Sequence, residues 1–225
     1  MGDPMNSSAV PVKVWDLPVR VIHWALVVLV GVSWLTAEIG QLALHHLSGY
    51  LIFALVAARV VWGFVGSTTA RFAHFVKGPA AVKAYAANLF NRAEIARAGH
   101  NPLGALSVLA LLGLLGLQVL LGLFAQDSDG LGPGPLADHL TRQTGRAIAE
   151  VHEAVFGVLL IFIALHVAAI LFHTCYKRDT LIGPMVTGRK ILPPDSVKDL
   201  HFASAKWAAL TFIFALIVVV FIAAV

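Results

Sequence analysis

Five long runs of apolar residues constrain the fold of this chain more than any other feature of its sequence. They cover about residues 19–37, 44–65, 103–124, 148–172 and 207–225. A helix needs roughly 20 predominantly apolar residues to cross the hydrocarbon core of a bilayer, and each run has about that length. The sequence therefore predicts an all-α integral membrane protein with five transmembrane helices.

The composition excludes several other classes of protein. Hydrophobic residues make up 59% of the chain and charged residues only 12%, so there is too little polar surface to cover a soluble domain. Disordered chains are poor in apolar residues, which excludes disorder. The net charge of +4 is spread over several loops, which argues against nucleic-acid binding. The single cysteine, Cys175, excludes an intramolecular disulfide and a four-cysteine zinc site.

Lys and Arg concentrate in two of the four connections between the runs. The first connection, 38–43, has none, and the third, 126–147, sets two arginines against three aspartates. The second and fourth connections are strongly basic, and they carry Arg71, Lys77, Lys83, Arg92 and Arg97, then Lys177, Arg178, Arg189, Lys190, Lys198 and Lys206. Since basic loops stay on the cytoplasmic side, this pattern predicts a cytoplasmic N-terminus and, after five spans, a periplasmic C-terminus.

The sequence divides into three parts along the chain. Residues 1–18 show no apolar period and are expected to be a flexible cytoplasmic lead. Residues 19–190 hold four of the predicted spans, with a short amphipathic helix expected between Phe72 and Leu89. Residues 191–225 comprise a linker and the fifth predicted span, and the prolines before that span predict a loop over 181–204.

Four histidines at or inside the span ends are the most informative polar residues. Ionisable side chains at membrane depth are costly and mark function by default. His152 and His166 are 14 residues apart, so they share one helix face and lie roughly 21 Å apart along it. His23 falls at the inner level with His166, and His45 at the outer level with His152. His46 remains an alternative to His45.

Two such pairs at two depths fit two haems, each held between two imidazoles. Small residues near the histidines, such as Ser48, Gly49 and Gly157, leave room for a flat macrocycle, although they also serve ordinary helix packing. Haem propionates need cations, and Arg20 and Arg59 lie at the inner level. Arg20 is also compatible with simple snorkelling at the membrane boundary.

These residues resemble the bacterial di-haem cytochrome b561 family, which includes the b-type cytochrome subunits of nickel–iron hydrogenases. The similar stretches span about residues 14–190. They are Arg20–His23–Trp24, His45 to Tyr50, Arg59, Ala70 to Phe72, His100 to Gly104, Gly134 to Leu136, His152–Glu153, Leu165 to Val167 and Met185 to Lys190. The resemblance implies a four-helix bundle with two b haems, one on His23 and His166 and the other on His45 and His152.

The resemblance also implies a function in electron transfer. Family members carry electrons between a periplasmic redox partner and the quinone pool of the bacterial inner membrane. A hydrogenase, another dehydrogenase or a c-type cytochrome is a possible partner. His173 is compatible with a quinone head group, a propionate or an ordinary boundary position. The fifth predicted span is an addition to the four-helix core.

Three other functions are compatible with the sequence. The chain alone could oxidise or reduce a small diffusible substrate such as superoxide and exchange the electrons with quinone, which would make it an enzyme. Histidine pairs also occur in metal and proton transporters, although those place carboxylates beside them at the midplane, and this chain has almost none there. The third possibility is a structural anchor for an extrinsic enzyme.

Overall fold

The structure is a computed structural model that describes residues 9–92, 98–126, 132–193 and 200–223. Outside the described residues lie residues 1–8 of the expected lead and the last two residues of the fifth apolar run. Four of the charged loop residues that bear on membrane orientation also lie outside them, namely Arg97, Asp127, Asp129 and Lys198. In chain order the described elements are β1 (Val10–Lys13), α1 (Leu17–Glu38), α2 (Leu42–Val65), α3 (Phe72–Phe75), α4 (Pro79–Ala87), α5 (Pro102–Phe124), α6 (Arg142–Leu171), α7 (Ile182–Thr187), β2 (Arg189–Leu192) and α8 (Ala205–Ala223).

Helices α1, α2, α5 and α6 confirm the first four predicted spans. Each is long and apolar enough to cross a membrane, and α6 continues through a π-helical turn at Phe172–Tyr176. Helix α6 begins about one and a half turns before its apolar run, because the Thr141 hydroxyl accepts a hydrogen bond from the Thr144 amide at 3.2 Å and so caps the first turn. Helix α8 is apolar, but its described part is shorter than the other four. A fifth span therefore stays a prediction.

The chain divides into two compact units. The first, called the helical unit here, comprises residues 22–61, 109–164 and 209–225, and the second, called the mixed unit, comprises residues 1–21, 62–108 and 165–208. In the helical unit four helices share one apolar core, with Leu159 of α6 fully buried at its centre. The residues around it are Ile52 and Val56 of α2, Leu115 and Val119 of α5, and Leu26, Leu29 and Val30 of α1. Such packing fits the four-helix expectation.

Helix α8 packs on the helical unit through a narrow stripe. Ala215 of α8 is buried with Ile22 of α1 and Ala58 of α2, and small residues at such contacts let helix backbones approach closely. Large apolar side chains elsewhere on α8, including Phe221 and Ile217, are exposed. An apolar exposed surface of this kind is what a lipid-facing helix presents.

The described part of the expected flexible lead, from Val10 onward, is structured in the mixed unit. Strand β1 pairs with β2 in an antiparallel ladder that runs from Val10 opposite Leu192 to Lys13 opposite Arg189. Val14 and Trp15, which follow β1, are buried in a core with Leu192. The expected loop over 181–204 likewise contains α7 and β2. Strands of only four residues carry almost no sequence signal, so only the pairing reveals them.

Asp16 connects the start of α1 to this core. Its Oδ1 accepts a hydrogen bond from the Val19 amide at 2.9 Å, which caps α1. Its Oδ2 accepts another from Trp62 Nε1, also at 2.9 Å. Asp16 is 4% exposed, and both of its oxygens are satisfied. The buried carboxylate therefore fixes the chain that leads from β1 into the first span.

The expected amphipathic helix after the second span is two short helices. Residues 76–78 separate α3 from α4, which begins at Pro79, because proline cannot continue a preceding helix but is well placed in a first turn. Phe75 of α3 and Tyr85 of α4 are the buried members of the two helices. The apolar positions were correctly identified, and the break between them follows from proline chemistry.

Candidate haem-ligating site

The helical unit contains a cavity of about 450 Å³ that lies between its helices. Pockets for cofactors and drug-sized ligands fall in this range of volume. Most of the lining is apolar, and the polar groups within it include Ser33, His45, Gln118 and His152 from four different helices. Two of these four are histidines that the sequence predicts as a pair.

His45 and His152 face each other across this cavity. Their ring centroids are 6.3 Å apart and the ring planes are nearly perpendicular, at 84°. A bond from imidazole nitrogen to a first-row metal is about 2.0–2.1 Å and the nitrogen lies ~1.1 Å from its ring centre, so two axial imidazoles hold their centroids roughly 6.3 Å apart. The observed separation therefore matches the spacing that one metal ion between the two rings requires.

Both rings use the same nitrogen, Nδ1, in a hydrogen bond to a backbone carbonyl. His45 Nδ1 donates to the backbone carbonyl of Ser33 at 2.9 Å, and His152 Nδ1 donates to the backbone carbonyl of Gln118 at 2.9 Å. A carbonyl can only accept, so each Nδ1 carries the proton and each Nε2 keeps its lone pair. Metal-ligating histidines characteristically donate their second ring N–H in this way.

A glycine in α5 makes room for the His152 ring. A Cβ added at Gly122 would lie 3.1 Å from His152 Cε1. Gly122 is one helical turn after Gln118, so its missing side chain lets the imidazole reach the Gln118 carbonyl. Gly49 is one turn after His45, lines the cavity, and would meet nothing within 4 Å if it carried a Cβ. Gly122 is therefore a small residue whose lack of a side chain the position of the His152 ring requires.

Gln118 is the residue at this site that the sequence reasoning missed. Its side-chain Nε2 lies 3.1 Å from His152 Nε2, and its Oε1 is buried without a described hydrogen-bond partner. Ligation through His152 Nε2 would require the amide to turn away. The available signal was that Gln118 is the only amide side chain in the apolar sequence of α5.

His46 also lines the cavity, but the ring that faces His152 belongs to His45. The His46 ring centroid is 6.1 Å from that of His45. The geometry thus favours His45 over His46 as the partner of His152.

Aromatic side chains also border this cavity. The Trp34 ring lies 6.0 Å from Phe156, and Trp34 Nε1 donates to the Glu38 carboxylate at 3.1 Å.

The other predicted ligands and cations are not among the residues that line this cavity. His23 is half-buried in the helical unit, and its ring packs edge-on against Trp24 at 5.0 Å. His166 is half-buried on α6 in the mixed unit, so its pairing with His23 stays a prediction. Arg59 is 6% exposed on α2. The Arg20 guanidinium donates to the Val186 carbonyl within the mixed unit.

A second polar cluster lies in the mixed unit around His173. This histidine is buried in the π-helical turn at the end of α6. Its Nε2 is 3.4 Å from the Tyr85 hydroxyl and 3.4 Å from Asn101 Nδ2. Asn101 also caps α5 by accepting from the Gly104 amide at 2.7 Å. Three side chains that are far apart in sequence thus converge, and the sequence predicts no site role for Tyr85 or Asn101.

The donor set around the cavity fits a haem. Among the described residues no three His, Cys, Asp or Glu side chains are grouped to hold a metal ion as in a typical zinc site, whereas a haem needs only the pair His45 and His152 from the protein. The cavity walls are mainly apolar, and both Nδ1 atoms already have acceptors. These features favour axial ligation of a haem iron by His45 and His152.

Comparisons with known proteins agree with this chemistry. The family described as prokaryotic cytochrome b561 matches residues 14–188. Proteins named probable Ni/Fe-hydrogenase B-type cytochrome subunit are similar in Azotobacter chroococcum mcd 1 and Azotobacter vinelandii, each 27% identical over 82% of this chain and 90% of the relative. The Rhodobacter capsulatus protein of that name is 24% identical over 83% of this chain and 84% of its own length. No solved structure matches the chain significantly. Because the family match covers more than three quarters of the sequence and includes the four long apolar helices, the chain belongs to the prokaryotic cytochrome b561 family and is a multi-pass membrane b-type cytochrome.

Proposed function

We propose that this chain is a di-haem cytochrome that carries electrons between a periplasmic redox partner and membrane quinone. The observation that carries the proposal is the His45–His152 pair, with ring centroids 6.3 Å apart and each Nδ1 bonded to a backbone carbonyl. This arrangement supports His45 and His152 as the axial ligands of one haem b. When bound, haem b supplies an iron that gains and loses one electron at a time.

The protein would tune this site through a few identifiable groups. The Ser33 and Gln118 carbonyls hold the two imidazoles in one tautomer and orientation, and accepting the N–H proton raises ligand basicity. Apolar residues such as Phe156 and Leu159 line the cavity and limit water. A dry, apolar surrounding lowers the local dielectric constant, which influences the reduction potential.

The proposed second haem uses His23 and His166. Its support is the 14-residue interval between His152 and His166 on one continuous helix, which sets the two positions on one face and roughly 21 Å apart. Arg59 lies 14 residues after His45 on α2. It therefore shares a helix face with His45 and lies roughly 21 Å from it along the helix. We propose that Arg59 pairs with a propionate of this haem, since a guanidinium binds a carboxylate by charge-assisted hydrogen bonds. We assign Arg20 the same role.

The cluster of Tyr85, Asn101 and His173 is the best candidate for quinone recognition. A quinone ring offers two carbonyl oxygens that accept hydrogen bonds, and the Tyr85 hydroxyl and the Asn101 amide can donate to them. His173 can donate a hydrogen bond and exchange a proton, as quinone reduction requires. Replacing Tyr85 with phenylalanine should slow quinone reduction while both haems stay bound.

The relatives favour a hydrogenase as the periplasmic partner. They are named as Ni/Fe-hydrogenase B-type cytochrome subunits, and the alignments cover most of both chains. We therefore place this protein in the bacterial inner membrane, with its N-terminus in the cytoplasm as the basic loops indicate. In this orientation the His45–His152 site lies toward the periplasm and exchanges electrons with the partner first.

A haem count on the purified chain tests the proposal. A pyridine haemochrome assay should give two haems b per wild-type chain, and His152→Ala should retain one. His46→Ala is the matched control, since it removes a neighbouring imidazole that does not face His152, and it should retain two. A colourless wild-type protein, or His152→Ala and His46→Ala proteins with the same haem content, would refute the assignment.

A further inference from the structure

A surface of the mixed unit combines aromatic rings with basic side chains where a span ends. The residues are Tyr85, Phe90, Arg92, Phe172, Tyr176 and Lys177, and they are called the aromatic–basic cluster here. Phe172 and Tyr176 belong to the π-helical turn that ends the span Arg142–Tyr176. Aromatic and basic residues at such ends lie at the level of the lipid headgroups.

The aromatic part of the cluster forms an ordered shelf. Phe172 and Tyr176 stack with their centroids 5.0 Å apart and their planes 17° apart, and Phe90 meets their edges at 5.8 Å and 6.2 Å. The Tyr176 hydroxyl donates to the Phe90 carbonyl at 3.2 Å, which holds the segment after α4 against the span end. Phe90 is 69% exposed. An exposed phenylalanine on such a shelf suits contact with acyl chains.

One cation lies over Tyr176 of this shelf, and a second lies over the buried Tyr85 ring of α4. The Arg92 guanidinium carbon is 4.3 Å from the Tyr176 ring centroid, and Lys177 Nζ is 5.2 Å from the Tyr85 ring centroid. Cation–π contacts at these distances hold flexible basic side chains in place. Exposed Lys83 of α4 adds a third positive charge nearby in the sequence. The cluster thus presents positive charge beside an apolar surface.

The two chain segments that form the aromatic–basic cluster carry only positive charge. Residues 72–92 and 172–178 contain five Lys or Arg and no Asp or Glu. For comparison, Lys190 in the same unit forms an ion pair with Asp179 at 2.8 Å. Positive potential at a headgroup level attracts anionic lipids, each cation contributing a roughly fivefold preference near the surface.

We propose that the aromatic–basic cluster binds an anionic phospholipid, with the phosphate on Arg92 and Lys177 and an acyl chain along Phe90. A single lipid satisfies both halves of the surface, whereas a free phosphate would use only the cations. The inference goes beyond electron transfer and does not depend on whether haem is bound. The aromatic–basic cluster lies at a span end and is positively charged, and these two observations favour a lipid over a protein partner.

Spin-labelled phospholipids test the proposal with the full chain reconstituted in phosphatidylcholine membranes. Electron spin resonance measures the motionally restricted fraction, which gives the relative association of phosphatidylglycerol and phosphatidylcholine. Wild-type protein should prefer phosphatidylglycerol severalfold. The double variant Arg92→Gln/Lys177→Gln should lose most of this preference. Arg142→Gln is the matched control, because Arg142 is an exposed arginine at the other end of the same helix, and it should keep the preference.

Three results of this comparison would overturn the proposal. These are equal association of the two lipids with wild-type protein, an unchanged preference in the double variant, and an equal loss in Arg142→Gln. Phe90→Ala provides a second variant should the double variant misfold, since it keeps the cations and removes the shelf edge. It should weaken lipid retention, and unchanged retention would contradict a role for the shelf. Full displacement of the lipid by millimolar inorganic phosphate would identify an anion site rather than a lipid site.

Discussion

Replacing Gly122 with alanine tests how tightly α5 must approach the His152 ring. The new Cβ would lie 3.1 Å from His152 Cε1, closer than an ordinary carbon contact, so the ring must move by a few tenths of an ångström. That movement lengthens the 2.9 Å hydrogen bond from His152 Nδ1 to the Gln118 carbonyl. Ligand geometry in functional sites tolerates only about 0.5 Å of displacement.

The size of the effect follows from the hydrogen bond that is strained. A hydrogen bond contributes about 0.5–1.5 kcal/mol net, so weakening this one should speed loss of the proposed outer haem roughly two- to tenfold. Transfer of haem to excess apomyoglobin measures the rate, and the two proposed haems should appear as two kinetic phases. Only one phase should accelerate in Gly122→Ala.

Gly113→Ala is the matched control, since both glycines lie within α5. An added Cβ at Gly113 meets nothing within 4 Å, while the gain in helix propensity of up to about 1 kcal/mol is the same for both substitutions. Gly113→Ala should therefore leave both phases unchanged. Identical kinetics for the two variants, or acceleration of both phases by Gly122→Ala, would refute the reasoning from the His152 contact.

Three further predictions concern residues that the structure identifies. Gln118→Leu should keep both haems, because the backbone carbonyl rather than the side chain orients His152, and loss of one haem per chain would contradict this. Asp16→Ala should lower the thermal midpoint by the equivalent of about 1–3 kcal/mol, because it removes a helix cap and leaves the buried Trp62 N–H without its acceptor. Asp16→Asn should retain part of that stability. Gly188→Ala should destabilise the mixed unit by at least about 1 kcal/mol, because Gly188 has φ +81°, and denaturant unfolding measures this.

Much of the membrane architecture follows from the sequence alone. A helix in lipid must satisfy its own backbone hydrogen bonds, so length and hydropathy are nearly sufficient to place a span. Four spans were located to within a few residues, apart from the capped polar turn at Thr141. The helical period likewise placed His152 and His166 on one face of α6 without any tertiary information.

The contacts that couple distant segments required the tertiary structure. The strand pair of residues 10–13 and 189–192, the convergence of Tyr85, Asn101 and His173, and the Gln118 contact with His152 each join segments that no local periodicity relates. The sequence already favoured His45 over His46, but the contact between the His45 and His152 rings depends on the packing of α2 against α6. Local sequence determines which residues a helix exposes on each face, whereas the packing of one helix against another decides which of those residues meet.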